Sequence, residues 1–277
     1  MSIIETHSTG QLICSGVLSF AVDDELIPLN PVVGVTKKLE IRKDKSKDVD
    51  PFTETELDLL LETCKIVAIE YYRFFLMACR TGMRLGELLA LQWGDIQFNN
   101  PVIIGGKREE RPFIWVKRSY RRGQFTMPKN GKTRRVDMSG QLKSGLSESL
   151  QVAKTRALKS GSNEVYELVF NREGQVMEQN EIRRIYKRIL SKSNLRQIKF
   201  HGLRHTFASL LLSKGESPVY VKEQMGHSSI QITCDIYGKW LPTQSLVGVN
   251  RLDSIQLSAT QTQPAKTKRA QVIDFAP

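Results

Sequence analysis

The spacing of apolar residues changes between Phe113 and Met138, and that change narrows the choice of fold more than any other feature of the chain. FIWVKRSY, GQFTM and TRRVDM are short runs rich in β-branched and aromatic residues. They are separated by Gly123 and by Asn130-Gly131, a dipeptide that favours tight hairpin turns. On both sides of this stretch the apolar residues recur at helical spacing. The expected fold is therefore α+β, mainly helical, with one small antiparallel sheet set between groups of helices.

Helix punctuation fills in the rest. Thr53 with Glu56 three residues on is a capping box, and the apolar run Leu59, Leu60 and Leu61 follows it. A second helix is predicted over Ile66 to Arg80, ending at Thr81-Gly82. Arg84 to Gln92 restarts helically with Leu85, Leu88, Leu89 and Leu91 on one side, which puts Arg84 at a helix beginning. Beyond the sheet, helices are expected over Gly140–Lys159, Glu178–Ser191 and His201–Ser213, with a short strand at Glu167–Phe170. Ser217-Pro218 supplies a cap and first turn for a helix that ends at Gly226, and a last short helix leads to Tyr237. Asn30 to Asp50 reads as a linker, Pro- and Gly-punctuated and then charged. The expected division is residues 1–50 as a short N-terminal piece with linker, 51–241 as the main domain, and 242–277 as a C-terminal segment. The end of that segment, SATQTQPAKTKRAQ, is polar and expected to be mobile.

Charge bears on the partner. With 41 Lys+Arg against 29 Asp+Glu the formal net charge is +12, which points to a polyanion. Hydrophobic residues at 40% and charged residues at 25% exclude wholesale disorder. No apolar stretch is long enough to span a bilayer, so a membrane partner is not expected. Cys14, Cys64, Cys79 and Cys234 are far apart with no C-x-x-C pair, which argues against a zinc ribbon and against a disulfide framework. The start of the chain shows no secretion signal, and a cytoplasmic location is expected.

Of four histidines, His201, His205 and His227 lie close together, and the first two enclose an arginine in H-G-L-R-H. On a helix His201, Arg204 and His205 stand at i, i+3 and i+4 and share one face. A metal reading needs Glu after the first His of such a pair, and Gly202 stands there. The ordinary reading of HGLRH alone is a helix start with a structural arginine. Its surroundings favour another: Gly226-His227-Ser228-Ser229-Ile230 follows, then Tyr237.

Together these segments resemble the C-terminal signature of the tyrosine recombinases, the phage integrase family. Thr81-Gly82-Met83-Arg84-Leu85-Gly86-Glu87-Leu88-Leu89 resembles the family's first arginine box. Pro128-Lys129-Asn130-Gly131-Lys132-Thr133-Arg134-Arg135 is similar to the hairpin that carries its lysine, with Lys129 as the match and Lys132 as the alternative. The resemblance covers about Asp50 to Leu241 and implies the fold of the family's catalytic domain. It also implies a site-specific recombinase that cuts and rejoins double-stranded DNA through a 3′-phosphotyrosine, as a homotetramer on paired sites, with accessory DNA-bending proteins as further partners. The relatives carry a full helical N-terminal domain, whereas here only SGVLSFAVDDELIPLNPVV resembles its last helix. The alternative reading is accordingly a shortened, non-catalytic DNA-binding remnant that occupies sites or modulates an intact recombinase.

The chemistry suits the residues. A phosphodiester gathers charge on its oxygens in the transition state, so a metal-free site needs fixed cations. Arg84 and Arg204 would each offer a planar fork. By the resemblance Tyr237 is the nucleophile, Lys129 protonates the departing oxygen, His201 takes or shares the tyrosine proton and His227 holds a phosphate oxygen. Glu87 and His205 are expected to orient their neighbours. The covalent link conserves the bond energy, so neither cofactor nor metal is implied. Lys117, Arg118, Arg121, Arg122, Lys132, Arg134 and Arg135, with no acidic residue between Lys117 and Val136, are expected to touch the DNA backbone.

Overall fold

The structure, a computed structural model, describes residues 14–32, 50–128, 131–162 and 164–242. The chain divides into two compact units, Met1–Asp50 and Pro51–Pro277. In the first, residues 14–23 are helical, and the Asn30 side-chain amide donates to the Ser15 carbonyl and to the Ser19 hydroxyl, both at 2.9 Å. Most of the expected linker and the C-terminal segment beyond residue 242 lie outside the described residues.

The second unit opens with α1, Glu54–Val67, and its capping box closes as expected. The Thr53 backbone N–H donates to Glu56 Oε2 at 2.7 Å, and the Glu56 N–H donates to Thr53 Oγ1 at 3.2 Å. The next helix starts later than its periodicity suggested, because the non-helical backbone at Ala68 and a 3-10 turn over Ile69–Tyr71 separate α1 from α2, Tyr72–Thr81. Helix α2 is buried nearly all round, with Phe74, Phe75, Leu76, Met77, Ala78 and Cys79 inside, which makes it the axis of the main core. It ends on Gly82 at φ +59°. A Cβ there would lie 2.5 Å from Phe207 Cδ1, so both backbone and space demand glycine. The following helix, α3, is shorter than expected, Leu85–Leu89, and gives way to a 3-10 turn at Trp93–Asp95.

One three-stranded antiparallel sheet forms in the order β1-β4-β7 from Ile96–Gln97, Phe113–Val116 and Arg134–Asp137. Ile114 faces Ile96 on one side and Val136 on the other, and Ile114 and Val136 are both fully buried. The hairpin of β5, Ser119–Arg121, and β6, Gln124–Thr126, is inserted between β4 and β7. Its turn residues Arg122 and Gly123 both have positive φ, as a two-residue hairpin turn requires. A second hairpin was not foreseen: β2, Pro101–Ile104, and β3, Lys107–Glu110, meet across Gly105-Gly106. The KREE strand is exposed throughout and carries no apolar alternation by which it could be read. The strand expected at Glu167–Phe170 is only a bridge between Gln92 and Leu168; the paired strands are β8, Asn171–Arg172, and β9, Gln175–Val176.

Helices α4, Gly140–Lys159, and α5, Gln179–Lys192, pack on the main core. Phe75, Tyr186 and Phe200 form a ring cluster there, with centroids 5.7 to 6.2 Å apart. Helices α6, His201–Ser213, α7, Pro218–Met225, and α8, Ile230–Tyr237, enclose a smaller core of Ala208, Leu212, Val221, Met225 and Tyr237. Among the described residues no helix is long and apolar enough to cross a membrane.

Candidate active site

The turn after α2 places Arg84 at the N-cap of α3, where its backbone N–H donates to Glu87 Oε2 at 2.8 Å and its Nη1 to Glu87 Oε1 at 2.9 Å. Glu87 is 1% exposed and meets a second cation head-on. Arg134, the first residue of β7, donates Nη1 to Oε1 at 2.9 Å and Nη2 to Oε2 at 2.7 Å. Burial pushes the Glu87 carboxyl up, but the Arg134 fork and the Arg84 contacts outweigh it and hold the group at about 2. The carboxylate is therefore an anchor for two arginines and not an acid that reacts at neutral pH.

Arg204 comes from the buried side of α6 and joins two turns. Its Nη1 donates to the Gly82 carbonyl at 2.7 Å, and its Nη2 donates to the Met225 carbonyl. Those turns carry Arg84 and His227, so one side chain ties the two arginine boxes to the histidine that follows α7. Burial and the nearby Arg84 push Arg204 down to about 9, which leaves it charged at neutral pH.

His227 Nδ1 shares a hydrogen bond of 2.9 Å with the Thr233 hydroxyl, and its ring stacks parallel to Tyr237 at 6.2 Å. Tyr237 is 1% exposed, and its hydroxyl lies 2.7 Å from His205 Nδ1. The tyrosine's hydrogen-bonding neighbour is thus His205, whereas His201 was expected to take or share its proton. The physical reason is position along the helix: His205 sits one turn further into α6, opposite the end of α8, whereas His201 stands exposed at the start of α6 and meets His205 edge-on at 4.9 Å. Burial raises Tyr237 to about 12, partly countered by Arg204. Burial and then Arg204 depress His205, and burial with Arg204 and Arg84 depresses His227 to about 4, so both imidazoles are neutral at pH 7.

A cleft of about 780 Å³ opens from Arg84, Arg134 and His227 toward Lys132, Arg111 and Tyr220. Lys129 lies outside the described residues, whereas Lys132 is exposed on the rim. Among the described residues no group of His, Cys, Asp or Glu is arranged to hold a metal ion.

The residues expected on the basic DNA face differ in their partners within the fold. Lys117 Nζ and Arg118 Nη2 are bound to the two oxygens of buried Asp95 at 3.2 and 2.8 Å, an acid supplied from outside the hairpin. Arg134 is committed to Glu87, and Arg135 pairs with Asp137 at 2.9 Å while lying over the Phe113 ring. Only Arg121, Arg122 and Lys132 of the seven stand exposed with no ion pair among the described residues. Helix α5 carries a cationic face that the sequence reading passed over: Arg184, Lys187, Arg188 and Lys192 are all exposed. Their spacing, with Arg184, Arg188 and Lys192 at successive i+4 steps opposite buried Ile182, Tyr186 and Ile189, was the available signal.

The profile of the phage integrase family matches residues 51–242. A protein described as tyrosine recombinase XerC-like, from Caldanaerobacter subterraneus subsp. tengcongensis, is 30% identical over 250 residues, covering 86% of this chain and 63% of the relative. The ICEBs1 integrase of Bacillus subtilis strain 168 is 28% identical over 247 residues, covering 87% of this chain and 63% of its own. This chain thus spans less than two thirds of those relatives. Among solved structures, the Tn1549 transposon integrase in complex with transposon right-end DNA shares the fold, with a TM-score of 0.64 at 20% identity over 94% of this chain and 81% of that one.

Proposed function

Since the chain belongs to the phage integrase family, we propose that it is a site-specific recombinase that cleaves and rejoins double-stranded DNA through Tyr237. One observation carries the reading: the buried Tyr237 hydroxyl rests on His205 beneath His227, in a site ringed by Arg84 and Arg204. A pair of guanidiniums fixed before substrate arrives is what a phosphoryl transition state needs where no metal neutralises its charge. Tyr237 Oη attacks phosphorus, the bond from phosphorus to the 5′-oxygen breaks, and a 3′-phosphotyrosine forms. Neutral His205 takes the tyrosine proton, and Lys129, or Lys132 in its stead, gives a proton to the departing 5′-oxygen. Rejoining runs the same steps backwards with a different 5′-hydroxyl. His227 donates to a phosphate oxygen, and His201 lies at the mouth of the site on the same helix face.

Arg121, Arg122, Lys132 and the cationic face of α5 supply sequence-independent contacts to the DNA backbone. The exchange of strands between paired sites calls for four copies, with accessory bending proteins where the sites are far apart, and the work is done in the cytoplasm where the DNA lies. The test is incubation with supercoiled plasmid in excess chelator, followed by recovery of DNA covalently bound to denatured protein. Wild type should trap DNA, and Tyr237→Phe should not. Salt-sensitive binding without trapping, on plasmid and on the chain's own site, would replace this reading with that of a non-catalytic DNA-binding protein.

A further inference from the structure

Arg134 carries a side chain only 10% exposed, and its guanidinium is occupied at both ends. Nη1 and Nη2 form the two-point contact with Glu87, while Nε donates to the Gln224 carbonyl at 3.0 Å. Gln224 makes a second link, its side-chain Oε1 accepting the Asp137 backbone N–H at 2.8 Å. Strand β7 therefore grips the last turn of α7 twice. Directly after that grip the chain passes through Gly226 at φ +64°, where a Cβ would lie 2.8 Å from Arg134 Cδ. The arginine stem fills the space over the turn, and His227 is the next residue, its N–H bound to the Lys222 carbonyl at 3.1 Å.

We infer that Arg134 is a positioning residue for the cleavage step: one end of its guanidinium fixes Glu87, and so Arg84, while the other fixes the turn that aims His227. The inference rests on the recombinase reading above and deepens it, because it makes a residue of the lysine hairpin the joint between the first arginine box and the histidine box. A lysine here could restore the charge beside Glu87 but not the simultaneous hold on Gln224.

The consequence of losing the joint is set by what surrounds Glu87. Arg84 faces it from the start of α3, Arg134 from β7, and Arg204 and His201 from α6. Burial is the largest influence on the carboxyl and favours its neutral form. Without Arg134, Glu87 takes up a proton at a higher pH, gives up an acceptor for Arg84, and frees that guanidinium to leave its place. A pH dependence is then added to that of the intact protein.

The experiment compares wild type, Arg134→Met, Arg134→Lys, Glu87→Gln and the double variant Arg134→Met/Glu87→Gln, each as the full chain. One readout is the rate of covalent plasmid trapping in chelator between about pH 5.5 and 9, falling about tenfold per pH unit wherever a required carboxylate is protonated. The other is the melting temperature over the same range, which requires no DNA. Arg134→Met should lose trapping increasingly toward acid. Its melting temperature should fall further behind wild type as pH rises, because the unfolded chain ionises Glu87 while the folded variant resists doing so. Arg134→Lys should recover the wild-type pH profile but trap more slowly than wild type at every pH, and the double variant should show no pH-dependent gap. A pH-independent loss in Arg134→Met, or full recovery of trapping in Arg134→Lys, would overturn the inference. If wild type itself traps no DNA, it is the recombinase reading that falls, and the inference falls with it.

Discussion

The contact between Tyr237 and His205 can be tested without DNA, by a double-mutant cycle in guanidinium chloride at pH 8. At that pH Tyr237, raised to about 12, and His205, depressed by burial and Arg204, are both neutral, so the cycle measures one neutral hydrogen bond. Tyr237→Phe deletes the hydroxyl and leaves His205, which is half-buried and open to water; the expected cost is about 0.5–1.5 kcal/mol. His205→Ala leaves the Tyr237 hydroxyl orphaned in a side chain that is 1% exposed, which costs about 1–3 kcal/mol before lost packing is counted. In the double variant donor and acceptor are both gone, so the two costs should fall short of additive by about 1 kcal/mol. Additivity within about 0.3 kcal/mol would refute the contact and remove the geometric ground for giving the proton to His205. The cycle also bounds the ambiguity of Tyr237→Phe in the trapping assay. A protein destabilised by so little stays folded at assay temperature, and its loss of trapping then reports on chemistry.

Two further outcomes follow from the charges. His227 has its pKa depressed from 6.5 to about 4, so between those values the unfolded chain binds the proton that the folded chain refuses. Its contribution to stability is complete above pH 6.5 and is lost as pH falls toward 4; His227→Gln should flatten the melting temperature over that window, and an unchanged slope would refute the depressed value. Replacing Arg184, Lys187 and Arg188 with Gln should weaken DNA binding and lower the slope of log affinity against log salt by about 0.9 for each phosphate contact removed. A slope equal to wild type would take α5 off the DNA.

The helices and their caps were legible because short-range rules govern them. Thr53 with Glu56, Ser217-Pro218 and the glycines at 82 and 226 act within a few residues, and each marks an observed boundary. The boxes were legible for the same reason: His201, Arg204 and His205 share a face by helical phase alone. What could not be read is pairing at a distance. Asp95 lies outside the run of cations it neutralises, and nothing in the spacing of Lys117 and Arg118 announces it. Arg134 looked like one basic residue among several, and only β7 packing against α7 shows it turned inward to Glu87, 47 residues upstream. The partner of Tyr237 belongs to the same class, since the choice between two histidines four residues apart depends on how α8 crosses α6.

The same long-range pairs explain why the site is built around a carboxylate at all. Arg84, Arg134 and Arg204 converge in a place with little water, and like charges held together there destabilise the fold. Glu87 offsets two of them directly, leaving Arg204, which burial and then the neighbouring Arg84 depress to about 9. Arg204 does not meet that carboxylate: its guanidinium donates to the backbone carbonyls of Gly82 and Met225, which orient it without cancelling its charge. A phosphate entering beside it would supply the missing negative charge. On the recombinase reading, part of the affinity for DNA is thus relief of repulsion already present in the folded protein. Glu87→Gln should raise that repulsion and make folding more dependent on added polyanion, whereas a carboxylate acting as a proton donor would give no such dependence. A melting temperature for Glu87→Gln that DNA raises no further than it raises wild type would show that the anchor and the substrate do not compete for the same charge.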